Sequence, residues 1–177
     1  NQPTMHVAWL FNWAGKPWLT QKWSRAILES YYGHNPADAY LGDEDQGQMS
    51  AWFVMTALGL FQTDGGCRVD PIYELGSPRY PKVVLHLSKK HFGGKTFTIA
   101  AQNASRENCY IQSAKLNGRP LNSWWIRQRE VVRGGTLELE LGPKPNEAWA
   151  ATTQPPPPSV LQLRSEITSG RTRNTQR

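Results

Sequence analysis

At 177 residues, 38% hydrophobic and with eight Trp, the chain suffices for one domain or two small ones and can bury a sizeable core. Its net charge of +6 does not draw a nucleic-acid footprint: residues 151–177 hold four Arg against one Glu, half of that excess, and the other basic residues are scattered rather than aligned in a stripe. No apolar run reaches the roughly 18 residues of a membrane span, no basic-then-apolar signal opens the chain, and Cys67 and Cys109 give one disulfide or two free thiols but no zinc pattern.

The pattern divides the chain into residues 1–62, 63–150 and 151–177. The first region predicts helices. HVAWLFNWAG is an apolar run closed by Gly15, Lys16 and Pro17. Thr20 has the chemistry of an N-cap, because its hydroxyl can satisfy a free N–H of the first turn. In TQKWSRAILESYY, the residues Trp23, Ile27, Leu28 and Tyr31 recur at spacings of three and four, which puts them on one helical face. Gly33, Asn35 and Pro36 stop that helix. QMSAWFVMTALGLF, from 48 to 61, predicts a third helix, apolar nearly all round and therefore buried on most sides.

Residues 63–150 change period. After the turn-rich DGGC and DPIYELGSP come KVVLHLS, KTFTIAAQN, CYIQSAKLN, SWWIRQREVV and TLELELG, several of which alternate as half-buried strands do. Asn117-Gly118 and Gly134-Gly135 are hairpin-grade turns. An α+β chain ending in an antiparallel sheet or sandwich is expected. In 151–177, four consecutive prolines favour an extended chain, and the Ser, Thr, Arg and Gln that follow predict disorder.

GDEDQGQ, residues 42–48, sets Asp43, Glu44 and Asp45 side by side between glycines, just before the third helix. Adjacent like charges repel, so such a turn has a use. One use is to cap a helix, whose N-terminus favours anions. Another is to hold a water: alternation along an extended stretch sends Asp43 and Asp45 to one side and Glu44 to the other, and a general base in an inverting glycosidase needs such a carboxylate. The oxygen spacing of an EF-hand loop is missing. Trp9, Trp13, Trp18, Tyr31, Tyr32, Tyr40 and Trp52 crowd the same region and serve either as helix core or as faces for a sugar ring. Trp18, after Gly15-Lys16-Pro17, is the one expected to be exposed.

These residues resemble glycoside hydrolase family 92, the calcium-dependent exo-acting α-mannosidases. GDEDQGQMSAWFVMTALGLF looks like that family's signature, and NQPTMHVAWLFNWAGKPWLTQ, YELGSPRYPKVVLHL, YIQSAKLNGRPLNSWWI and RGGTLELELGPKPNEAW follow its pattern in order, through residue 149. The resemblance implies an (α/α)6 barrel paired with a β-sandwich, and hydrolysis of terminal α-linked mannose, in mannan or N-glycans, with inversion. It implies Asp45 as base, Asp43 as its partner on the same water, and Asn1, Gln2, His6 and Trp18 as substrate-binding residues. It implies Ca2+ in the whole enzyme, α-mannoside glycans as partners and a secreted or periplasmic location. Gln2 stands where the family usually has Glu, Met5 where many members have His, and Ala150 where Gly is usual. The family's catalytic acid lies upstream of this turn. Here the only carboxylates before the turn, Glu29 and Asp38, do not match it.

The expectation is therefore a C-terminal fragment of an α-mannosidase, inactive alone, partnered by the missing N-terminal part and exposing helix faces that this part would cover. A carbohydrate-binding or interaction module is the alternative, with Trp124 and Trp125 as its stacking platform and no catalysis.

Overall fold

The computed structural model describes residues 2–153 and 155–159. Two 3-10 turns, Gln2–Thr4 and Val7–Trp9, lead into helix α1 (Leu10–Trp13), followed by α2 (Pro17–Tyr31) and α3 (Gln48–Leu58). Helix α2 begins at Pro17 rather than at Thr20. Proline suits the first helical position because the N–H it lacks would be unbonded there. Thr20 instead lies inside the helix, where its hydroxyl donates to the Trp9 carbonyl at 3.5 Å.

The face of α2 that is buried is not the apolar one. Thr20, Gln21, Ser24, Arg25 and Leu28 are buried, whereas Trp23 and Tyr31 are 43% and 52% exposed. The polar stripe faces the strands and is satisfied there: Gln21 Oε1 accepts from the Ile111 N–H at 2.9 Å, and Arg25 reaches Pro78 and Ser105. Helix α3 stops at Leu58, short of the expected 61, because Gly59 adopts φ +75 and closes the helix. A Cβ on Gly59 would also lie 2.8 Å from Pro78. Nor is α3 buried all round: Met49, Trp52, Thr56 and Ala57 are buried, but Val54 is 54% exposed.

Strand β1 (Leu60–Phe61) pairs antiparallel with β2 (Ile72–Leu75), which pairs in turn with β7 (Trp125–Arg127). A five-stranded sheet is built from β3 (Lys82–His86), β4 (Thr96–Gln102), β5 (Tyr110–Leu116), β6 (Arg119–Pro120) and β8 (Gly135–Gly142), ordered β3-β4-β8-β5-β6. The sheet is mixed, not antiparallel throughout, because β4 and β8 run parallel. SWWIRQREVV is also not one strand: β7 turns directly into the short helix α5 (Gln128–Val132), and Gly134-Gly135 joins that helix to β8 instead of forming a hairpin. A further short helix, α4 (Lys89–Phe92), connects β3 to β4. Asn117-Gly118 does form the β5–β6 hairpin turn, at φ +52 and +77.

Buried residues of both sheets make one cluster that includes Phe97, Ile99, Ile111, Leu137, Leu139, Trp124 and Trp125. Met5, Leu28, Met49, Trp52 and Ala57 make a second cluster among the helices. The two cysteines are free, and burial raises the Cys109 thiol above its ordinary pKa. The proline stretch meets the body of the fold at Arg68. Arg68 donates to the Pro157 carbonyl, and Ser159 bridges Arg68. The expected disorder from 160 on falls outside the described residues.

Candidate active site

The acidic stretch is a turn, not an extended segment. Asp45, Gln46 and Gly47 take φ of +58, +58 and +94 in succession, and α3 starts immediately after. Alternation therefore does not sort the three carboxylates; local hydrogen bonding does. Glu44 folds back over the turn. One of its oxygens accepts from the Gly47 N–H; the other accepts from the Ser50 N–H at 3.3 Å and the Ser50 hydroxyl at 2.7 Å. The Ser50 hydroxyl bond, followed by the bond to Gly47, holds the Glu44 carboxyl below its ordinary pKa. Glu44 is thus the helix-capping residue. Two non-glycine residues in the left-handed region are an unusual load, of roughly 1–2 kcal/mol each, and such strain is retained where the surroundings fix it.

Asp45 is left uncapped. It is half-buried, and its Oδ2 is buried without a hydrogen-bond partner among the described residues. Asp43 is exposed beside it in sequence. Gln2 Nε2 donates to Gln48 Oε1, and Trp52 Nε1 donates to the Met5 carbonyl at 2.8 Å, so residues 2–5 lie over the start of α3. The structure thereby brings Gln2 to the helix that follows the turn. Trp18 is half-buried in the first turn of α2, His6 is exposed, and no hydrogen bond or ring contact among the described residues joins either to the turn. Among the aromatics of residues 2–62, Trp13, Trp23 and Tyr31 are exposed, whereas Trp18 is not. Asn1 lies outside the described residues.

A cleft of about 190 Å³ lined by Met5, Tyr31, Tyr32, Leu41, Met49 and Trp52, among others, flanks the turn. Tyr32 stacks on Trp52 there, with centroids 5.5 Å apart and planes at 9°. The two earlier carboxylates are engaged elsewhere. Glu29 binds Arg25 and Arg106, and Asp38 accepts from the Asn35 N–H. Trp124 and Trp125 are 5% and 8% exposed, so they offer no stacking platform.

The sequence profile of the glycosyl hydrolase family 92 catalytic domain matches residues 1–143. The chain belongs to glycosyl hydrolase family 92. It is 32% identical over 162 residues to an uncharacterized secreted glycosidase of Arthroderma benhamiae, covering 90% of this chain and 20% of that one. Among solved structures it resembles the family 92 α-mannosidase BT3965 of Bacteroides thetaiotaomicron at 32% identity and a TM-score of 0.79, over 90% of this chain and 21% of that one. It also resembles the family 92 inverting mannosidase BT2199 of the same species at 34% identity and a TM-score of 0.75, over 87% and 20%. The chain thus spans about a fifth of the length of these relatives.

For the calcium that the family resemblance implies in the whole enzyme, the described residues of this chain supply no ligand set of their own. No group of three or more His, Cys, Asp and Glu side chains among the described residues is placed to hold a metal ion. Sequence reasoning found the carboxylates of the turn but missed Ser50 as the partner of Glu44. The only signal for it is a hydroxyl residue in the first turn of a helix, six positions after Glu44.

Proposed function

We propose that this chain is the C-terminal part of an exo-acting, calcium-dependent α-mannosidase, and that Asp45 is its general base. The helices would complete an (α/α)6 barrel and the strands would belong to a β-sandwich-type domain. The observation that carries this reading is the asymmetry within the turn. Glu44 spends both oxygens on the helix start, while Asp45 keeps a buried carboxylate oxygen without a hydrogen-bond partner among the described residues. A carboxylate held in that state by a strained backbone is a proton acceptor with little freedom to move.

In the reaction, a water oxygen bonds to the anomeric carbon of a terminal mannose as the glycosidic C–O bond breaks on the opposite face, giving inversion. The proton of that water passes to Asp45, and Asp43 helps to orient the water. The leaving oxygen takes its proton from an acid outside this chain, since Glu29 and Asp38 are engaged elsewhere. Calcium ligands would likewise come from beyond the described residues. The name of the Arthroderma relative supports export of the enzyme.

The test uses the full-length enzyme. Asp45→Asn is expected to lower kcat by roughly 10²–10⁴, and NMR of the first product should show the inverted anomer. Pure 177-residue chain should release nothing from an aryl α-mannoside. Retention of configuration, or full activity in Asp45→Asn, would overturn the reading.

A further inference from the structure

Where α2 meets the loops around Pro78 and Ser105, an open cleft of about 290 Å³ is lined by Arg25, Glu29, Tyr32, Arg79, Ser105 and Arg106. Three guanidinium groups thus face one carboxylate. Arg25 is 4% exposed and fixed on all sides. Its Nε and Nη2 donate to Glu29 Oε1 at 3.1 and 2.7 Å, its Nη1 to the Pro78 carbonyl at 2.8 Å and the Ser77 hydroxyl at 3.4 Å, and its Nη2 also to the Ser105 carbonyl at 2.9 Å. Arg106 Nε takes the other oxygen of Glu29 at 3.0 Å.

Both Glu29 oxygens are therefore occupied. The terminal nitrogens of Arg106 and the whole guanidinium of Arg79 have no protein acceptor among the described residues. The cleft presents an excess of forked N–H donors and of positive charge. Like charges held together are unfavourable until an anion joins them, and the planar fork of arginine matches a tetrahedral oxyanion in bidentate fashion. The Tyr32 ring also lines the cleft, and its phenol, pushed up to about 12 by burial, stays protonated and adds no negative charge.

We propose that this cleft binds a tetrahedral oxyanion, phosphate or sulfate, either free or as an ester on a glycan. Arg79 and Arg106 grip the anion while Arg25, held by Glu29, Pro78 and Ser105, supplies fixed charge behind them. This inference does not depend on the hydrolytic reading of Asp45.

The experiment is equilibrium dialysis of the 177-residue chain against labelled inorganic phosphate at low ionic strength. Saturable binding at one site is expected, displaced by sulfate but not by chloride at equal ionic strength. The Arg79→Met and Arg106→Met variants should each bind at least about tenfold more weakly, with unchanged far-UV circular dichroism. A hexose 6-phosphate that binds more tightly than phosphate, while the bare hexose does not bind, would identify the ligand as a glycan ester. Equal affinity for the two would identify the free oxyanion. Absence of saturable binding up to about 20 mM phosphate, well above a Kd of about 1 mM, would overturn the proposal. So would undiminished binding by both variants.

Discussion

Glu74 lies 1% exposed in β2, far from the acidic turn in character. Its Oε1 accepts from the Trp13 indole at 3.1 Å and from the Thr63 N–H and hydroxyl, while its Oε2 is buried and makes no hydrogen bond with any described residue, the Asn12 side chain standing near the carboxyl. Burial raises its pKa above the ordinary 4.5, only partly countered by the Thr63 and Trp13 bonds. An acid whose pKa is raised on folding binds its proton more tightly in the native state. Its contribution to stability is therefore most favourable below pH 4.5 and declines as pH rises through the folded value. Urea unfolding of wild type and Glu74→Gln across this window should show the wild type losing ground to the variant as pH rises. A difference that is constant with pH would refute the assignment. The sequence showed the three clustered acids but not this one. A single Glu in YELGSP breaks no pattern, and its partner Trp13 is 61 residues away. Likewise the conformation of the acidic turn was hidden, because left-handed Asp45 and Gln46 carry no compositional mark of the kind glycine gives. Ala150, where the family pattern has Gly, also sits at φ +57, which accounts for glycine being usual there.

Helix α2 shows what periodicity can and cannot reveal about an element. Counting apolar residues correctly finds a helix and its apolar stripe, but not which stripe is buried. Here the buried one is polar, because Gln21 and Arg25 meet backbone groups of the strand region and Ser24 bonds back to the Gln21 carbonyl of its own helix. SWWIRQREVV reads as one strand by its apolar pattern, but its second half turns into α5, where Glu130 accepts from the Arg127 N–H at 2.7 Å and fixes the helix start. Arg25 is the pin of this seam. Arg25→Leu would strip Pro78 and Ser105 of their donor and remove the buried partner of Glu29, at a cost of about 3–5 kcal/mol, as for other broken buried pairs. Arg106→Ala acts on the same Glu29 from a side chain that is 79% exposed, and should change stability by no more than about 1 kcal/mol. Denaturant midpoints of the two variants decide the matter, and equal midpoints would mean that the buried bonds are not what joins α2 to the strands.

At the scale of the whole molecule, the apolar side that α2 turns away from the strands is left open. Val7, Leu10, Trp23, Tyr31, Leu41 and Val54 are each between 43% and 58% exposed, and a further cleft of about 390 Å³, lined in part by Val7, Phe11, Trp23 and Ile27, runs across this side. Apolar surface gathered in this way marks a contact face. Since the chain spans about a fifth of its relatives, the occupant consistent with the proposed α-mannosidase is the upstream part of the same enzyme. The strand region needs no such cover, because its two sheets share one buried cluster. Its parallel β4–β8 pair was invisible in the sequence, because those strands are separated by all of β5 to β7 and no turn encodes their pairing. The covered-face argument makes opposite predictions for one substitution in two contexts. In the full-length enzyme Trp23→Ala should cost about 3–5 kcal/mol, as for a buried tryptophan. In the 177-residue chain the ring is 43% exposed, so the variant should change stability much less, and sedimentation velocity should show it less associated than wild type. A wild-type chain that stays monomeric and melts in one sharp cooperative transition, with Trp23→Ala equally mild in both contexts, would mean that this face is ordinary solvent-facing surface.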